Sequence, residues 1–382
     1  MVSLKSKRFL AVLAVLLVFV TQCWFLYPVV RHPKLHYWTF LNFWSESSEH
    51  TPRTFCACFH QAVKQVDAEL VRDSNFFIDL CGLSQKLMGK RSFGAFWRLK
   101  NGYLAMKTPD FPSMERAESD ILELNDFLRE QHIPLLYIQT PREIHPDEVE
   151  LPDGARDYAN QSIDSFLEFL HQNQINYTDC REIFRDDPKR HYDLFFKSDH
   201  HWLPEYAFYS LRKTADVLKS QYGFEIDSSF LDPYNYKRRE APLLCGIYVG
   251  QGNNSERKQT GRFFSQTDHY QLFEPTFQTK QEFDVPTLNI HKTGNWTETW
   301  GLSGVYGLQT MKNLQIPEKK IFLIKDSYGI PFFDYLSLIC HELIAVDPRN
   351  NHESLKKQIL ENRPDIVIVL FSDPDTISLT LE

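Results

Sequence analysis

The sequence predicts an α/β fold in which helices cover a mostly parallel sheet. From about residue 117 onward, segments that are apolar at every position alternate with segments whose apolar residues recur every three or four positions. A run such as residues 366–370 is typical of a strand buried on both faces, as the strands of parallel sheets are. Strands of this kind that alternate with helices indicate crossover connections, and therefore a parallel sheet.

The predicted elements follow one another in a regular order. Residues 224–318 interrupt this order, because they lack helical periodicity and are rich in Gly, Asn, Gln, Thr and aromatic residues. We expect a β/loop-rich insertion there. The remaining elements are a helix with Ala117, Ile121, Leu124 and Leu128 inward, a strand at 133–138, a helix with Ile163, Phe166, Leu167 and Leu170 inward, a strand at 175–177, a helix from Pro204, a strand at 321–324, a helix from Pro331, a strand at 343–346, a helix at 352–362 and a strand at 365–371.

The first thirty residues differ in composition from the rest of the chain. Basic residues precede an almost uncharged stretch at 9–30, which is long enough to cross a bilayer as a helix. The stretch ends in bulky aromatic residues, which are typical of a membrane interface and not of a signal-peptide cleavage site. We therefore expect a cytoplasmic stub and uncleaved signal anchor at 1–31, a juxtamembrane spacer at 32–74, and an extracytoplasmic domain at 75–382.

Charge and cysteine usage narrow the possible partners. The net charge of −8 is the opposite of the basic surface that nucleic-acid binding requires, so no nucleic acid is expected. Cys56 and Cys58 form the one tight cysteine pair in the sequence, and no second pair stands at a zinc-binding spacing. Aromatic residues make up 14% of the chain, which suits either a packed core or a carbohydrate-facing surface. No cofactor is expected.

Two polar motifs carry groups that acyl transfer needs. Asp199 and His201 lie on the turn before the helix at Pro204, and Ser327 follows a buried strand in the sequence Lys-Asp-Ser-Tyr-Gly. A serine hydroxyl becomes a useful nucleophile when a histidine takes its proton, and a carboxylate orients that histidine. In parallel sheets, ligands bind at the carboxyl ends of the strands, where Ser327 is expected. The motifs together predict a Ser-His-Asp site.

The neighbours of these residues suggest further roles. If residues 199–201 are extended, alternate side chains face one cleft and His200 faces away. Trp202 can then pack beneath the imidazole of His201. The amides of Ser327 and Tyr328, close to a helix start, are candidate donors to an oxyanion.

Other interpretations of the same residues stay open. Asp326 and Ser327 before a helix are also typical of a helix N-cap. Asp199, His200 and His201 suit a capping turn, or they can hold a metal ion, although no further ligand stands at a recognisable spacing. We therefore predict no metal site.

The two motifs together resemble those of the DHHW family of bacterial surface proteins. More distantly, they are similar to the alginate O-acetylation proteins, and both groups belong to the SGNH (GDSL)-like hydrolases. The resemblance covers about residues 75–382, with Asp-x-His placed before the serine. It implies an SGNH-hydrolase-like fold, with Ser327 as nucleophile, His201 as general base and Asp199 as the partner that orients it.

The resemblance also implies a basic residue near the cleft, at the position of Arg142. Lys325 stands where many relatives have glycine, and no counterpart is identified for the Gly and Asn that donate to the oxyanion in standard SGNH enzymes. The candidate oxyanion or substrate-binding residues are therefore Tyr328, Arg142, Lys325 and Trp202.

These observations lead to an expected function. The chain is predicted to be a membrane-anchored, extracytoplasmic acyltransferase or esterase that acts on cell-surface polysaccharide. The resemblance implies that the acyl group is an acetyl group. Because acetyl-CoA is cytoplasmic, the resemblance implies that a transferase would receive its acyl group from a multispanning membrane O-acyltransferase. The alternative is a catalytically inactive SGNH-fold surface protein that binds glycan or scaffolds a polysaccharide-modification complex.

Overall fold

The computed structural model describes residues 87–93, 95–197, 199–245 and 268–382, and isolated residues between 41 and 61. At 241–245 and 268–270 it describes the backbone alone. The chain divides into two compact units, Met1–Cys81 and Gly82–Glu382, and the elements below all belong to the second. The predicted anchor at 9–30 lies outside the described residues. Within the described part of the chain, no helix combines the length and apolar character needed to cross a membrane.

The second unit alternates strands and helices. The strands are β1 Ser92–Phe93, β2 Phe96–Arg98, β3 Leu104–Met106, β4 Leu135–Gln139, β5 Asn176–Asp179, β6 Tyr236–Cys245, β7 Asp268–Pro275, β8 Gln281–Val285, β9 Ile290–Gly294, β10 Gln309–Asn313, β11 Lys320–Lys325, β12 Glu342–Val346 and β13 Ile366–Phe371. The helices are α1 Glu115–Glu130, α2 Ala159–Gln172, α3 Pro188–Asp193, α4 Pro204–Tyr222, α5 Trp296–Thr299, α6 Gly329–Leu336 and α7 Leu355–Asn362. Short 3₁₀ helices lie at Cys180–Phe184, Ser228–Leu231, Pro233–Asn235, Pro286–Leu288 and Pro374–Thr376.

Eight strands form one mixed sheet in the order β5-β4-β13-β11-β12-β10-β8-β9. The strands from β5 to β12 are parallel to their neighbours. From β12 to β9 each pair is antiparallel. The central strands β11 and β13 are apolar along almost their whole length, because helices cover both of their faces. The prediction of an SGNH-like α/β fold with helices around the sheet is thereby supported.

Alternate residues of each central strand enter two separate cores. On β11, Ile321 and Leu323 pack on the face that carries α4 and α6. Phe322 and Ile324 pack on the opposite face, which carries α1 and α2. This period of two follows from the pleat of the strand. Packing on both faces holds β11 in place, so the position of Asp326 and Ser327, which follow its end, is fixed.

The predicted helices and strands are confirmed, with boundaries that differ by no more than three residues. Two features differ from the expectation. The three-stranded sheet β1-β2-β3 was not predicted, because its strands are two or three residues long and carry no measurable periodicity. Within the predicted insertion, β8, β9 and β10 extend the main sheet on its antiparallel side, while β6 and β7 form a separate hairpin.

Candidate active site

The nucleophile candidate Ser327 lies in the turn between β11 and α6. Asp326 holds this turn in place, because its Oδ1 accepts a hydrogen bond from the Tyr328 amide at 2.9 Å. Its Oδ2 accepts from the Ser372 amide at 2.8 Å and from the Ser372 hydroxyl at 2.9 Å, just beyond the end of β13. The turn is thus fastened to the neighbouring parallel strand. Asp326 therefore orients the Ser327 turn through these three hydrogen bonds.

A second segment reaches the same edge of the sheet. Residues 199–201 form a bend before α4, and this helix packs against α6. Pro204 is the first residue of α4, where its missing N–H is not needed. The bend is closed by Asp199, whose Oδ1 accepts a hydrogen bond from the His201 amide at 2.9 Å.

Asp199, His201 and Ser327 form a continuous hydrogen-bonded chain. His201 Nδ1 lies 2.7 Å from Asp199 Oδ1, and His201 Nε2 lies 2.9 Å from Ser327 Oγ. An ionised carboxylate can only accept a hydrogen bond, so Nδ1 carries the proton and Nε2 is left to accept from the serine hydroxyl. This is the tautomer in which histidine can take a proton from serine. The three residues predicted from sequence are therefore brought together with suitable geometry.

The electrostatics of the pair agree with this geometry. Burial alone would raise the pKa of Asp199, but the charge of His201 and its hydrogen bond outweigh burial and hold the pKa of Asp199 well below its usual range. For His201, burial opposes protonation, while the charge and hydrogen bond of Asp199 raise its pKa above the ordinary value. A raised pKa makes His201 a stronger base when it is neutral. The imidazole stays reachable, since 22% of its side chain is exposed.

Tyr328 and Trp202 have roles different from the predicted ones. The Tyr328 ring, and not Trp202, packs on the imidazole, with ring centroids 5.1 Å apart. The Tyr328 hydroxyl donates to the carbonyl of His200. Trp202 is buried behind Tyr328, and its indole Nε1 donates to the Tyr328 carbonyl at 3.0 Å. Both aromatic residues join the histidine bend to the serine turn.

The prediction that residues 199–201 are extended, with His200 facing away from the cleft, is wrong. The rings of His200 and His201 lie against each other, with centroids 4.0 Å apart, because residues 199–201 form a bend and not an extended strand. Burial, followed by the charge of His201, lowers the pKa of His200 to about 3. His200 is therefore neutral at physiological pH. Its ring packs against the base and its carbonyl accepts from Tyr328.

Lys325 cannot contact a substrate directly. It is completely buried, and its Nζ donates to the carbonyl of Gly304 at 2.8 Å. Burial lowers the pKa of Lys325 to about 8, against the opposing charges of Asp347 and Asp326. Its stem fills the space beside Gly329, where an added Cβ would lie 2.6 Å from Lys325 Cβ. Glycine at 329 is what allows the strand and the helix to approach this closely.

Arg142 lies at the carboxyl edge of the sheet, after β4. It is 4% exposed and forms ion pairs with Asp373 and with Glu143. Its charge acts on His200, where it helps to lower the pKa. Glu143 is also buried, and burial raises its pKa. Arg142 is thus near the site, as the sequence suggested, but its guanidinium is already paired with carboxylates.

Of the two amides predicted as oxyanion donors, the described structure leaves one available. The amide of Tyr328, predicted for this role, already donates to Asp326. The amide of Ser327 has no acceptor among the described residues. An amide on the nucleophile itself points near the oxygen of a substrate carbonyl that the hydroxyl attacks, as in known oxyanion holes.

The same cluster offers metal-binding atoms. One ligand atom each from Asp199, His200 and His201 lies within 4.8 Å of the others. Both ring nitrogens of His201, however, are engaged by Asp199 and Ser327. A metal ion bound to His201 would have to displace one of these two contacts. The geometry therefore suits proton transfer better than metal coordination.

Comparison with known proteins agrees with the fold and with part of the site. The family described as "SGNH hydrolase-like domain, acetyltransferase AlgX" matches residues 97–242. The match includes Asp199 and His201 and ends before Ser327. Among solved structures, Bacillus cereus PatB1 with a sulfonyl adduct is 16% identical, covers 75% of this chain and 99% of its own, and has a TM-score of 0.60. A DHHW family protein from Eubacterium siraeum is 14% identical, with 71% and 88% covered and a TM-score of 0.51. None of the curated proteins matches the chain in sequence.

These findings confirm the resemblance to the SGNH-like acetyltransferase and DHHW proteins. The solved structures support the fold, and the family match supports the class of enzyme, an acyltransferase or esterase of the SGNH-like type.

Proposed function

We propose that the chain transfers or hydrolyses acyl groups, in the first place acetyl groups, on a cell-surface polysaccharide. Ser327 attacks the acyl carbonyl while His201 takes its proton, and Asp199 stabilises the imidazolium that forms. The bond between the acyl carbonyl and the donor's leaving group then breaks, and the leaving group takes the proton from His201. In the second half, His201 takes a proton from a sugar hydroxyl or from water, whose oxygen attacks the acyl-enzyme, and returns that proton to Ser327 as the acyl–serine bond breaks. The observation that carries the proposal is the hydrogen-bonded chain from Asp199 through His201 to Ser327.

The family match supports the acetyl group, because the matching family is described as an acetyltransferase. The polysaccharide acceptor is part of the proposal and follows from the resemblance of the two motifs to those of the alginate O-acetylation proteins. The proposal extends to the membrane. Residues 9–30 anchor the chain, residues beyond 31 lie outside the cytoplasm, and a multispanning membrane O-acyltransferase supplies the acyl group. The apolar composition of 9–30 and the basic residues before it support this location.

A serine-reactive fluorophosphonate probe tests the nucleophile. The purified full-length chain should be labelled on Ser327, and Ser327→Ala should abolish labelling. Ser220→Ala, at an exposed serine on α4, is the matched control and should be labelled like the wild type. Labelling should persist after treatment with a chelator, because no step depends on a metal ion. A folded wild-type chain that the probe does not label would refute the proposal.

Transfer and hydrolysis share the same acyl-enzyme, so a product assay separates them. The chain is given p-nitrophenyl acetate as donor, with and without an oligosaccharide acceptor. Acetylated sugar identifies a transferase, and acetate alone identifies an esterase.

A further inference from the structure

A groove on the outer side of α4 is separate from the residues described above. Its cavity volume is about 700 Å³, and it lies between α4, Ile183 of the 3₁₀ helix after β5, and the two 3₁₀ helices that follow α4. The part of α4 that lines it runs from Tyr209 to Lys219. At 1.5 Å per residue, the groove extends from about 8 Å to about 22 Å along the helix from Pro204.

The lining combines an aromatic ring with charged and amide side chains. Tyr209 is half-buried, and the guanidinium of Arg212 lies over its ring, 5.8 Å from the centroid. Asp216 and Asn235 present carboxylate and amide groups to the same groove. Tyr234, which stands between the lining residues Pro233 and Asn235, is 93% exposed. An exposed aromatic ring beside a groove offers a face on which a ligand ring can pack.

Some polar groups of the groove are engaged within the protein, since Asn235 Nδ2 donates to the Ser229 carbonyl and Lys213 Nζ donates to the Asp179 carbonyl. Arg212 and Asp216 differ from them. Arg212 and Asp216 are one helical turn apart, a spacing at which oppositely charged side chains can pair. No ion pair or hydrogen bond of either side chain is formed with any residue in the described part of the chain, apart from the contact of Arg212 with Tyr209. Charged groups in a concave surface that lack partners within the protein are available to a ligand.

This combination identifies the ligand class. A sugar ring has an apolar face, which packs on an aromatic ring, and hydroxyl groups, which bond to planar amide, carboxylate and guanidinium groups. A lipid would need a more apolar lining than Arg212, Asp216 and Asn235 provide. We infer that the groove is an accessory subsite that binds an oligosaccharide segment of the acceptor polysaccharide. The inference rests on the proposed function for the identity of the polymer. Because the groove begins about 8 Å along α4 from Pro204, the polymer would occupy it several sugars away from Ser327.

Direct binding to the full-length chain tests the inference. Calorimetric titration with cellohexaose, chitohexaose and a hexamer of galacturonic acid should reveal binding of at least one of them. Tyr234→Ala and Arg212→Ala should each weaken that binding by about tenfold or more, the loss typical of a stacked ring or a hydrogen bond to a charged group. Phe111→Ala and Arg116→Ala are the matched controls, an exposed aromatic and an exposed arginine outside the groove, and should bind like the wild type.

Turnover of p-nitrophenyl acetate by the wild type, measured separately, distinguishes this inference from the proposed function. Oligosaccharide binding that the groove variants lose supports the subsite even if the wild type shows no turnover. If the wild type turns over the ester but binds none of the three hexamers, the inference is overturned. Equal binding by the wild type and both groove variants overturns it as well.

Discussion

Replacing Asp199 with asparagine tests the electrostatic part of the proposed mechanism. Asparagine has almost the same shape, so the bend at 199–201 and its hydrogen bond to the His201 amide can persist. The negative charge beside His201 Nδ1 is lost. Without it, only the weaker charges of Asp326 and Glu143 compensate the positive charge that the imidazole acquires when it takes the proton of Ser327. The asparagine side chain can also turn its NH₂ group toward His201 Nδ1. That contact would favour the tautomer with the proton on Nε2, which cannot accept the proton of Ser327.

The structure brackets the size of the effect. Two unit charges separated by the 2.7 Å between His201 Nδ1 and Asp199 Oδ1 interact by about 6 kcal/mol at an effective dielectric constant of about 20. This energy corresponds to about four powers of ten in rate. It is an upper limit for the loss of kcat/KM, because solvent at the partly exposed imidazole screens the two charges. Loss of the charge-assisted hydrogen bond alone, about 1.5–3 kcal/mol, sets the lower limit of about tenfold. We expect kcat/KM to fall by about 10-fold to 10⁴-fold.

The assay is the pH dependence of p-nitrophenyl acetate turnover. Asp199 raises the pKa of His201, and only the neutral imidazole acts as base, so wild-type activity should rise as the pH increases through that raised pKa. In Asp199→Asn the pKa of His201 falls, because burial is then opposed only by the smaller effects of the Asp326 and Glu143 charges. The acid limb of the profile should therefore move to lower pH while the maximum rate drops.

A matched control uses another buried carboxyl group. Burial raises the pKa of Asp334 well above its usual range, and Asp334 is not among the main charges that act on the pKa of His201. Asp334→Asn should therefore change the rate by less than tenfold and leave the acid limb in place. If Asp199→Asn keeps wild-type kcat/KM, or loses activity without moving the acid limb, the electrostatic reasoning is refuted.

Three further substitutions test other parts of the structure. Gly329→Ala should lower the melting temperature and the activity together, since the added Cβ would lie 2.6 Å from Lys325 Cβ. Overpacking of this kind costs about 1–3 kcal/mol. Unchanged activity would contradict the tight turn between β11 and α6. Trp202→Phe leaves the Tyr328 carbonyl without its donor, so urea unfolding should show a loss of about 1–3 kcal/mol, and a stability equal to the wild type would show that this hydrogen bond is dispensable. Burial lowers the pKa of His191 to about 3, so the unfolded chain takes up a proton below about pH 6.5 that the folded chain does not, and stability falls with decreasing pH. We expect His191 to lower the free energy of unfolding by about 2 kcal/mol between pH 7.5 and pH 5. In His191→Gln this contribution to the pH dependence should be absent. If the wild type and His191→Gln show the same pH dependence of unfolding, the expectation is refuted.

Local pattern was enough to predict the parallel half of the sheet and its helices. Strands buried on both faces, such as β11 and β13, leave a continuous apolar run, and α1 and α2 leave a period of three to four. The antiparallel strands β8 and β10 bury alternate residues and are only five residues long. Their signal is weaker, and their place beside β12 depends on contacts with residues far away in sequence.

The sequence by itself determined which residues could perform acyl transfer, because the serine turn and the Asp-x-His bend each have a recognisable local pattern. Only the tertiary structure decided how they meet. The 2.9 Å contact between His201 and Ser327 joins residues 126 positions apart, and it depends on the packing of α4 against α6. The roles of Tyr328, Trp202 and Lys325 were decided in the same way. A side chain's partners are set by the space around it, and that space is formed by segments that no local pattern relates.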